Sequence, residues 1–214
     1  WEEIIPRFGR WVDMKNPYRT MDFEYMQSEW WAFKELYKKG LIYEDYRSMH
    51  ICPRCETTLS QGEVTDGYKD VKDLSATVKL KVKNPEKHGL PENTYLLAWT
   101  TTPWTLAGNV ALAIGKNIEY VMFKNKGIIN ISSKKFYNEK FIPEIPKVVE
   151  RVEVKDLIGL KYEPLFNNYA KDEKLKNREN GWKVYSADFV NTEDGTGIVH
   201  IATAFGAEDM ELGR

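Results

Sequence analysis

The stretch Tyr95-Leu96-Leu97-Ala98-Trp99-Thr100-Thr101-Thr102-Pro103-Trp104-Thr105-Leu106 joins a short apolar run to three consecutive threonines and a proline. Residues 95–99 predict a buried strand, because a short apolar run bounded by a turn signal is typical of one. Pro103 lacks a backbone N–H, so strand pairing is expected to end here with the threonine hydroxyls side by side. There they can hold a water or a polar ligand between two tryptophans that supply apolar walls. A threonine-rich strand edge without a ligand is the alternative, since threonine is itself a good strand residue.

Other short apolar runs on both sides of this stretch are separated by Gly, Pro and Asn. They predict further strands at 78–82, 110–114, 119–123, 128–131, 148–152, 184–186 and 197–201. One short helix is expected at 154–160, and the charged segments 134–140 and 171–180 are expected to be solvated loops. The pattern therefore predicts an α+β fold, a β-barrel-like domain with helical insertions.

The first part of the chain has a different periodicity. Apolar residues recur at spacings of three and four between residues 21 and 39, which predicts an amphipathic helix with Thr20 or Asp22 as its N-cap and Gly40 after its end. We expect residues 1–50 to be a helical segment at the edge of another domain, 51–65 a Cys-x-x-Cys knuckle, and 66–214 the barrel-like domain. Because the chain opens at Trp1 without a Met, we expect it to be a piece of a longer protein.

Composition excludes several classes of protein. The 214 residues carry a formal net charge of -1, with 42% hydrophobic and 29% charged residues and two cysteines. These values describe a soluble globular chain. They argue against a basic nucleic-acid-binding surface that covers the whole molecule and against a disulfide scaffold. No apolar run approaches the ~18 residues that a membrane helix needs. We therefore expect a cytoplasmic protein without a membrane partner.

Cys52 and Cys55 form a Cys-x-x-Cys pair on a proline-containing turn. Two thiolates at this spacing can share a tetrahedral zinc ion, but such a site needs four ligands and the chain has no other cysteine. Half of a zinc ribbon is the leading interpretation, an unmetallated reduced pair comes next, and a redox dithiol is the third.

The segment 194–209 contains the other candidate site residues. Gly195 and Gly197 flank a short apolar strand that leads to His200, and the following loop delivers Glu208 and Asp209. A satisfied strand-end histidine and acids at the start of a helix are the plain alternatives. No serine or cysteine lies in a nucleophile-elbow context, which disfavours covalent acyl transfer.

Specific motifs occur at residues 9–14, 16–22, 30–34, 52–57, 99–106, 162–166 and 195–202. These motifs and their order resemble those of the isoleucyl-tRNA synthetases, a class I family. The chain resembles the part of that family that contains the inserted editing (CP1) domain. The family's ATP-binding motifs, His-x-Gly-His and Lys-Met-Ser-Lys-Ser, are absent from the sequence, so ATP and Mg²⁺ are expected only in a catalytic domain outside it. The resemblance also implies a second Cys-x-x-Cys pair outside the chain, which would complete a zinc site.

The resemblance implies an activity: hydrolysis of Val-tRNA(Ile) by a positioned water, with valyl-adenylate as a second candidate substrate and no cofactor required. Such a site corrects the weak discrimination that one methylene allows, about 1–3 kcal/mol. Its partners would be the 3′ end of tRNA(Ile), the valine ester and the remaining domains of a synthetase that joins isoleucine to tRNA(Ile). The chain departs from the family at Ala107 and Thr203, where proline is usual, and at Glu208, where aspartate is usual.

The resemblance also implies roles for individual residues. Asp209 would bind the α-ammonium group, Thr101 and Thr102 would orient the water and contact the terminal ribose, and His200 would limit side-chain size. Thr100, Trp104, Thr105 and Asn109 would line the substrate pocket. The rival hypothesis is a non-catalytic tRNA-binding or structural zinc-ribbon module, which predicts that Thr101, Thr102 and Asp209 lie far apart.

Overall fold

The computed structural model of the chain describes residues 1–141 and 148–214. The described residues form two compact units, Trp1–Tyr46 and Arg47–Arg214. Among the described residues, we find no helix with the length and apolar character that crossing a membrane requires.

The first unit contains two helices, α1 (Ile4–Arg7) and α2 (Phe23–Lys38). Helix α2 confirms the helix predicted from the periodicity of residues 21–39. Asp22 occupies its N-cap position without a capping hydrogen bond from its side chain, and Gly40 follows its end with a φ of 69°. Neither helix contains a buried residue.

The second unit begins with the cysteine-containing turn. Strands β1 (Ile51–Cys52) and β2 (Thr57–Thr58) pair antiparallel, and helix α3 (Gln61–Gly67) follows them. Helix α3 was not predicted from the sequence. Its signal was a capping box, in which the Ser60 hydroxyl accepts from the Glu63 backbone N–H and the Glu63 carboxylate accepts from the Ser60 N–H.

The body of this unit is a mixed sheet whose eight strands all fall within two residues of the predicted runs. They are β3 (Ala76–Lys81), β4 (Thr94–Thr100), β5 (Ala111–Ile114), β6 (Tyr120–Asn125), β7 (Ile128–Ser133), β8 (Val148–Val152), β9 (Lys183–Ser186) and β10 (Ile198–Ile201). The order along the sheet is β8-β6-β7-β4-β10-β5-β9, with β3 paired to the other side of β4. Strand β4 is parallel to β7 and β10, and β5 is parallel to β9, while the other pairs are antiparallel.

A short segment around Lys161 and Tyr162 connects the end of β3 to β9. Isolated bridges join Val82 to Tyr162 and Lys161 to Lys183. The Lys83 N–H donates to the Lys161 carbonyl at 2.7 Å, and the Tyr162 N–H donates to the Trp182 carbonyl at 3.0 Å. Strands β3, β4, β10, β5 and β9 thus form a ring around a common apolar cluster that includes Leu80, Leu96, Leu112, Val184 and Ile198. The expected α+β, barrel-like architecture is confirmed.

The prediction of a loop at 134–140 was wrong, because helix α4 (Lys134–Phe141) occupies this segment. Its aromatic side chains Phe136 and Tyr137 are buried against Phe123 of β6, while its charged residues are exposed. Helix α5 (Val154–Leu157) is shorter than expected, and α6 (Ala207–Gly213) follows β10. In the described part of the chain, 3-10 helices also occur at Pro85–His88, Pro103–Gly108 and Arg178–Asn180.

Candidate functional site

A cavity of about 420 Å³ opens where β4 and β10 end. These two strands are parallel neighbours, with Trp99 paired to Val199, so their carboxyl ends lie side by side. The pairing brings the threonine run after β4 next to His200 and the loop that leads to α6. The lining residues are Trp99, Thr100, Thr101, Thr102, Thr105, Phe189, Asn191, Glu193, Asp194, Val199, His200, Ala202, Phe205, Glu208 and Asp209.

Two of the eight residues expected to catalyse or bind substrate are absent from this lining. Trp104 is 63% exposed and Asn109 is 5% exposed, and neither contributes to the cavity wall. In a 3-10 helix, residues three apart share a face, so Thr102 and Thr105 align toward the cavity and Trp104 lies off that face. Asn109 follows the same helix and lies behind His200, which its side chain contacts.

The threonine hydroxyls form a connected row. The Thr100 Oγ1 accepts from the Thr102 backbone N–H at 3.0 Å and lies 3.3 Å from Thr102 Oγ1. Thr102 Oγ1 in turn lies 3.2 Å from Thr105 Oγ1, which donates to the Thr102 carbonyl at 2.7 Å. The Thr101 side chain lines the cavity and makes no hydrogen bond to the part of the chain that the structure describes. Its hydroxyl is therefore available to a water or a ligand.

His200 lies at the inner end of this row, on β10. Its Nε2 is 2.8 Å from Thr105 Oγ1, and its Nδ1 is 3.5 Å from Asn109 Nδ2. Burial lowers the pKa of His200 below its usual 6.5, and the nearby Asp209 carboxylate opposes this shift. The imidazole is therefore neutral at physiological pH.

Asp209 lies in the first turn of α6, and its position is fixed by the backbone. Its Oδ1 accepts from the Ala202 N–H at 2.8 Å. Gly206 passes so close to this carboxylate that a Cβ at that position would overlap Asp209 Oδ2. The chain therefore needs glycine here in order to keep the carboxylate in place.

The cavity has a marked electrostatic character. Four carboxylates line it, from Glu193, Asp194, Glu208 and Asp209, and no lysine or arginine is among its described lining residues. Such a lining favours a cationic group and disfavours a phosphate. Glu193 and Asp194 were not expected in the site, because they reach the cavity only through the path of the loop that precedes β10.

The lining also limits the chemistry that is open to the site. Serine and cysteine are absent from the described lining residues, so an external water is the simplest nucleophile. The hydroxyl row offers oriented donors and acceptors to such a water, and the carboxylates can hold a cation beside it.

The two cysteines lie on the β1–β2 turn. The Cys55 backbone N–H donates to Cys52 Sγ at 3.4 Å, and this bond and one from Arg54 lower the pKa of the Cys52 thiol. Among the described residues, we find no group of three or more His, Cys, Asp or Glu side chains that could hold a metal. Two thiols can supply half of a tetrahedral zinc site, so zinc binding stays a prediction.

Comparison with solved structures identifies the class of fold. A structure described as "The crystal structure of GlLeuRS-CP1" matches 65% of this chain and 59% of that chain, with a TM-score of 0.51 and 16% identity. At this identity the likeness concerns the fold alone, which is the α+β fold of a CP1 domain.

The chain belongs to the family described as tRNA synthetases class I (I, L, M and V), whose pattern matches residues 1–193. An isoleucine–tRNA ligase from Treponema denticola is 45% identical over 236 residues, which cover 99% of this chain and 22% of that protein. A second, from Clostridium tetani, is 44% identical over 98% of this chain and 19% of that protein. The chain thus spans about a fifth of the length of these curated relatives.

Proposed function

We propose that the cavity is the editing site of an isoleucine–tRNA ligase and that it hydrolyses the ester of Val-tRNA(Ile). Valyl-adenylate is a second substrate under this proposal. The sequence similarity to isoleucine–tRNA ligases along almost the whole chain supports the choice of amino acid and tRNA. The longer protein joins isoleucine to tRNA(Ile) with ATP and Mg²⁺, which bind in a domain outside this chain.

One observation carries the proposal. Thr101, Thr102 and Asp209, from two distant parts of the sequence, line one cavity. A structural or purely RNA-binding module would require no such convergence. The acid lining supports the same conclusion, because an aminoacyl ester carries an α-ammonium group beside the bond to be broken.

Under this proposal, the residues have separate tasks. Asp209 binds the α-ammonium group through the carboxylate oxygen that Ala202 leaves free. Thr101 and Thr102 orient the water and the terminal ribose, and the neutral His200 at the inner end of the cavity limits the size of the side chain. Water attacks the ester carbonyl, and free valine and the ribose hydroxyl of the tRNA are the products. Orientation supplies the rate enhancement, because an aminoacyl ester is already activated.

Further elements of the proposal lie outside the cavity. Editing itself needs no cofactor, while Cys52 and Cys55 would supply two ligands to zinc and ligands outside this chain would complete the site. The 3′ end of tRNA(Ile) and the remaining synthetase domains are the partners, and the protein functions in the cytoplasm.

The test is deacylation of Val-tRNA(Ile) by the intact ligase carrying either Asp209→Ala or Asp209→Asn. The asparagine variant keeps an acceptor for the Ala202 N–H and removes the charge that would hold the ammonium group. Hydrogen bonds to charged groups contribute about 1.5–3 kcal/mol, so deacylation should fall roughly ten- to a hundredfold in both variants.

The matched control is Asp188→Asn, which removes an exposed carboxylate that pairs with Lys116 outside the cavity. It should deacylate at the original rate. Undiminished deacylation by the Asp209 variants would refute the assigned role of this carboxylate, and no deacylation by the unsubstituted protein would favour the non-catalytic alternative.

A further inference from the structure

Tyr162 is a buried residue to which the proposed hydrolysis assigns no task. It lies in the segment that connects the end of β3 to β9, it is 0% exposed, and its hydroxyl donates to Asn109 Oδ1 at 2.8 Å. Burial raises the pKa of Tyr162 well above its usual 10, so the phenol keeps its proton and acts as the donor. Tyr162 therefore requires an acceptor oxygen, and Asn109 presents one.

This bond orients the Asn109 amide group. With Oδ1 toward Tyr162, the Nδ2 group faces two acceptors: the Ala111 carbonyl at 2.9 Å and His200 Nδ1 at 3.5 Å. An amide nitrogen can only donate, so His200 Nδ1 must present a lone pair and carries no proton. Tyr162 thus acts on His200 through Asn109.

The other side of the imidazole leads to the same assignment. Thr105 Oγ1 uses its one proton on the Thr102 carbonyl, which can only accept. Thr105 Oγ1 must therefore accept from His200 Nε2, which lies 2.8 Å away and carries the ring proton. Two independent sets of contacts specify the same tautomer.

We infer that Tyr162 is a positioning residue, which through Asn109 holds His200 as the neutral Nε2–H tautomer and so fixes the direction of the threonine hydroxyl row. The tautomer follows from the contacts alone, while its bearing on hydrolysis rests on the proposed function.

The same count of donors and acceptors gives the direction of the hydrogen bonds along the threonine row. Thr105 receives the Thr102 hydroxyl proton, and Thr102 can in turn receive that of Thr100. Thr102 Oγ1 then keeps one lone pair for a proton of the attacking water or of the ribose. Because His200 Nε2 already carries a proton, His200 cannot serve as a base toward Thr105, so the two do not form a nucleophilic pair.

The first experiment measures the tautomer directly. Long-range ¹H–¹⁵N correlation spectra of the ¹⁵N-histidine-labelled chain report which ring nitrogen carries the proton, and the chain has three histidines. The His200 signals are assigned by their loss in His200→Gln. We expect a protonated Nε2 and an unprotonated Nδ1 at pH 7.5. A protonated Nδ1 in the unsubstituted chain would overturn the inference, whatever the variants do.

Tyr162→Phe removes only the hydroxyl, so Asn109 Oδ1 loses its donor and the amide can reverse. Thr105 still accepts from His200 Nε2 and the Ala111 carbonyl still faces the amide, so we expect Nε2–H to stay the major form while a measurable population of the Nδ1–H tautomer appears. Tyr120→Phe is the matched control, because Tyr120 is equally buried and its hydroxyl bonds Gly197 and Gly115 without contacting Asn109. It should leave the tautomer unchanged, and a His200 spectrum that Tyr162→Phe leaves unaltered would refute the role of Tyr162.

A second variant covers the case in which Tyr162→Phe does not fold. Asn109→Asp keeps an acceptor for Tyr162 and replaces the nitrogen opposite His200 Nδ1 with an oxygen. We expect Nδ1 to acquire a proton, and an unchanged Nδ1 would contradict the relay through Asn109.

Deacylation by the intact ligase tests the link to function. With Tyr162→Phe, we expect kcat to fall about five- to tenfold and KM to stay within about twofold, since a positioning defect of about 1 kcal/mol acts on the chemical step. An unchanged kcat together with an altered tautomer would overturn this link. If the unsubstituted ligase does not deacylate Val-tRNA(Ile), the proposed function fails and the tautomer assignment stands.

Discussion

At the scale of single residues, the site depends on the close approach of Gly206 to Asp209. A Cβ at position 206 would overlap Asp209 Oδ2. The backbone φ of -145° at this position is an extended conformation that alanine also adopts. Gly206→Ala should therefore displace the carboxylate from the Ala202 N–H without straining the backbone. We expect deacylation of Val-tRNA(Ile) to fall at least about tenfold, which is the loss expected for one charge-assisted contact.

The control for this substitution is Gly62→Ala in α3, where an added Cβ meets no atom within 4 Å. It should leave deacylation unchanged and stabilise the helix by up to about 1 kcal/mol. Equal activity of the two variants would show that the position of Asp209 does not limit the reaction.

His200 makes the stability of the barrel depend on pH. The pKa of His200 is lower in the folded chain than its usual 6.5. As the pH falls below that value, the unfolded chain therefore binds a proton at this histidine more readily than the folded chain does. The free energy of unfolding should therefore fall as the pH is lowered from about 7.5 to 5. Urea denaturation of the wild-type chain and of His200→Gln isolates this effect, because all other titrating groups are shared. Parallel pH curves for the two proteins would contradict it.

Residue identity predicted the site only in part. Hydroxyl, imidazole and carboxylate groups beside turn signals marked the threonines, His200 and Asp209 as candidates, and the family resemblance then implied their roles. Trp104 was expected in the lining because it follows the threonines, but the three-residue turn of the 3-10 helix directs it away. Tyr162 was not assigned to the site, because it reaches His200 through a hydrogen bond to Asn109, which is 53 residues away in the sequence.

At the scale of elements, local sequence patterns predicted the strands but did not predict helix α4. Each strand is a short apolar run between turn residues, and this local signal predicts both type and position. In α4, three aromatic residues are interleaved with three lysines and one glutamate, so half of its residues are charged. The helix forms because Phe136, Tyr137 and Phe141 meet Phe123 on the outer face of the sheet, a contact that local composition does not reveal.

This packing predicts the effect of Phe123→Ala. Phe123 is 0% exposed, with ring centroids 4.8 Å from both Tyr137 and Phe141, so truncation removes the surface on which α4 packs. The free energy of unfolding should fall by about 3–5 kcal/mol, and amide exchange in α4 should accelerate. Phe166→Ala, at a position 50% exposed, should cost far less in the same urea titration. Similar losses for both variants would argue against the packing of α4 on Phe123.

At the scale of the whole molecule, the distribution of charge predicts that this chain alone binds tRNA weakly. Its 31 basic and 32 acidic residues nearly cancel, and the cavity itself carries four carboxylates that repel phosphate. Affinity for nucleic acid comes mainly from neutralised phosphates, so this chain alone should bind tRNA(Ile) with a dissociation constant no tighter than about 10⁻⁶ M at physiological salt.

The slope of log K against log salt makes this prediction quantitative, because each neutralised phosphate contributes about 0.7 to 0.9 to its magnitude. The measurement is fluorescence anisotropy of 3′-labelled tRNA between about 50 and 300 mM salt, a range that brackets physiological ionic strength. For this chain the slope should have a magnitude below about 3. Asp188→Asn should leave both quantities unchanged, since it removes one exposed charge away from the cavity. A nanomolar complex insensitive to salt would mean that the chain recognises tRNA through contacts other than phosphates. The acid-lined cavity would then have to be only one part of a larger RNA-binding surface.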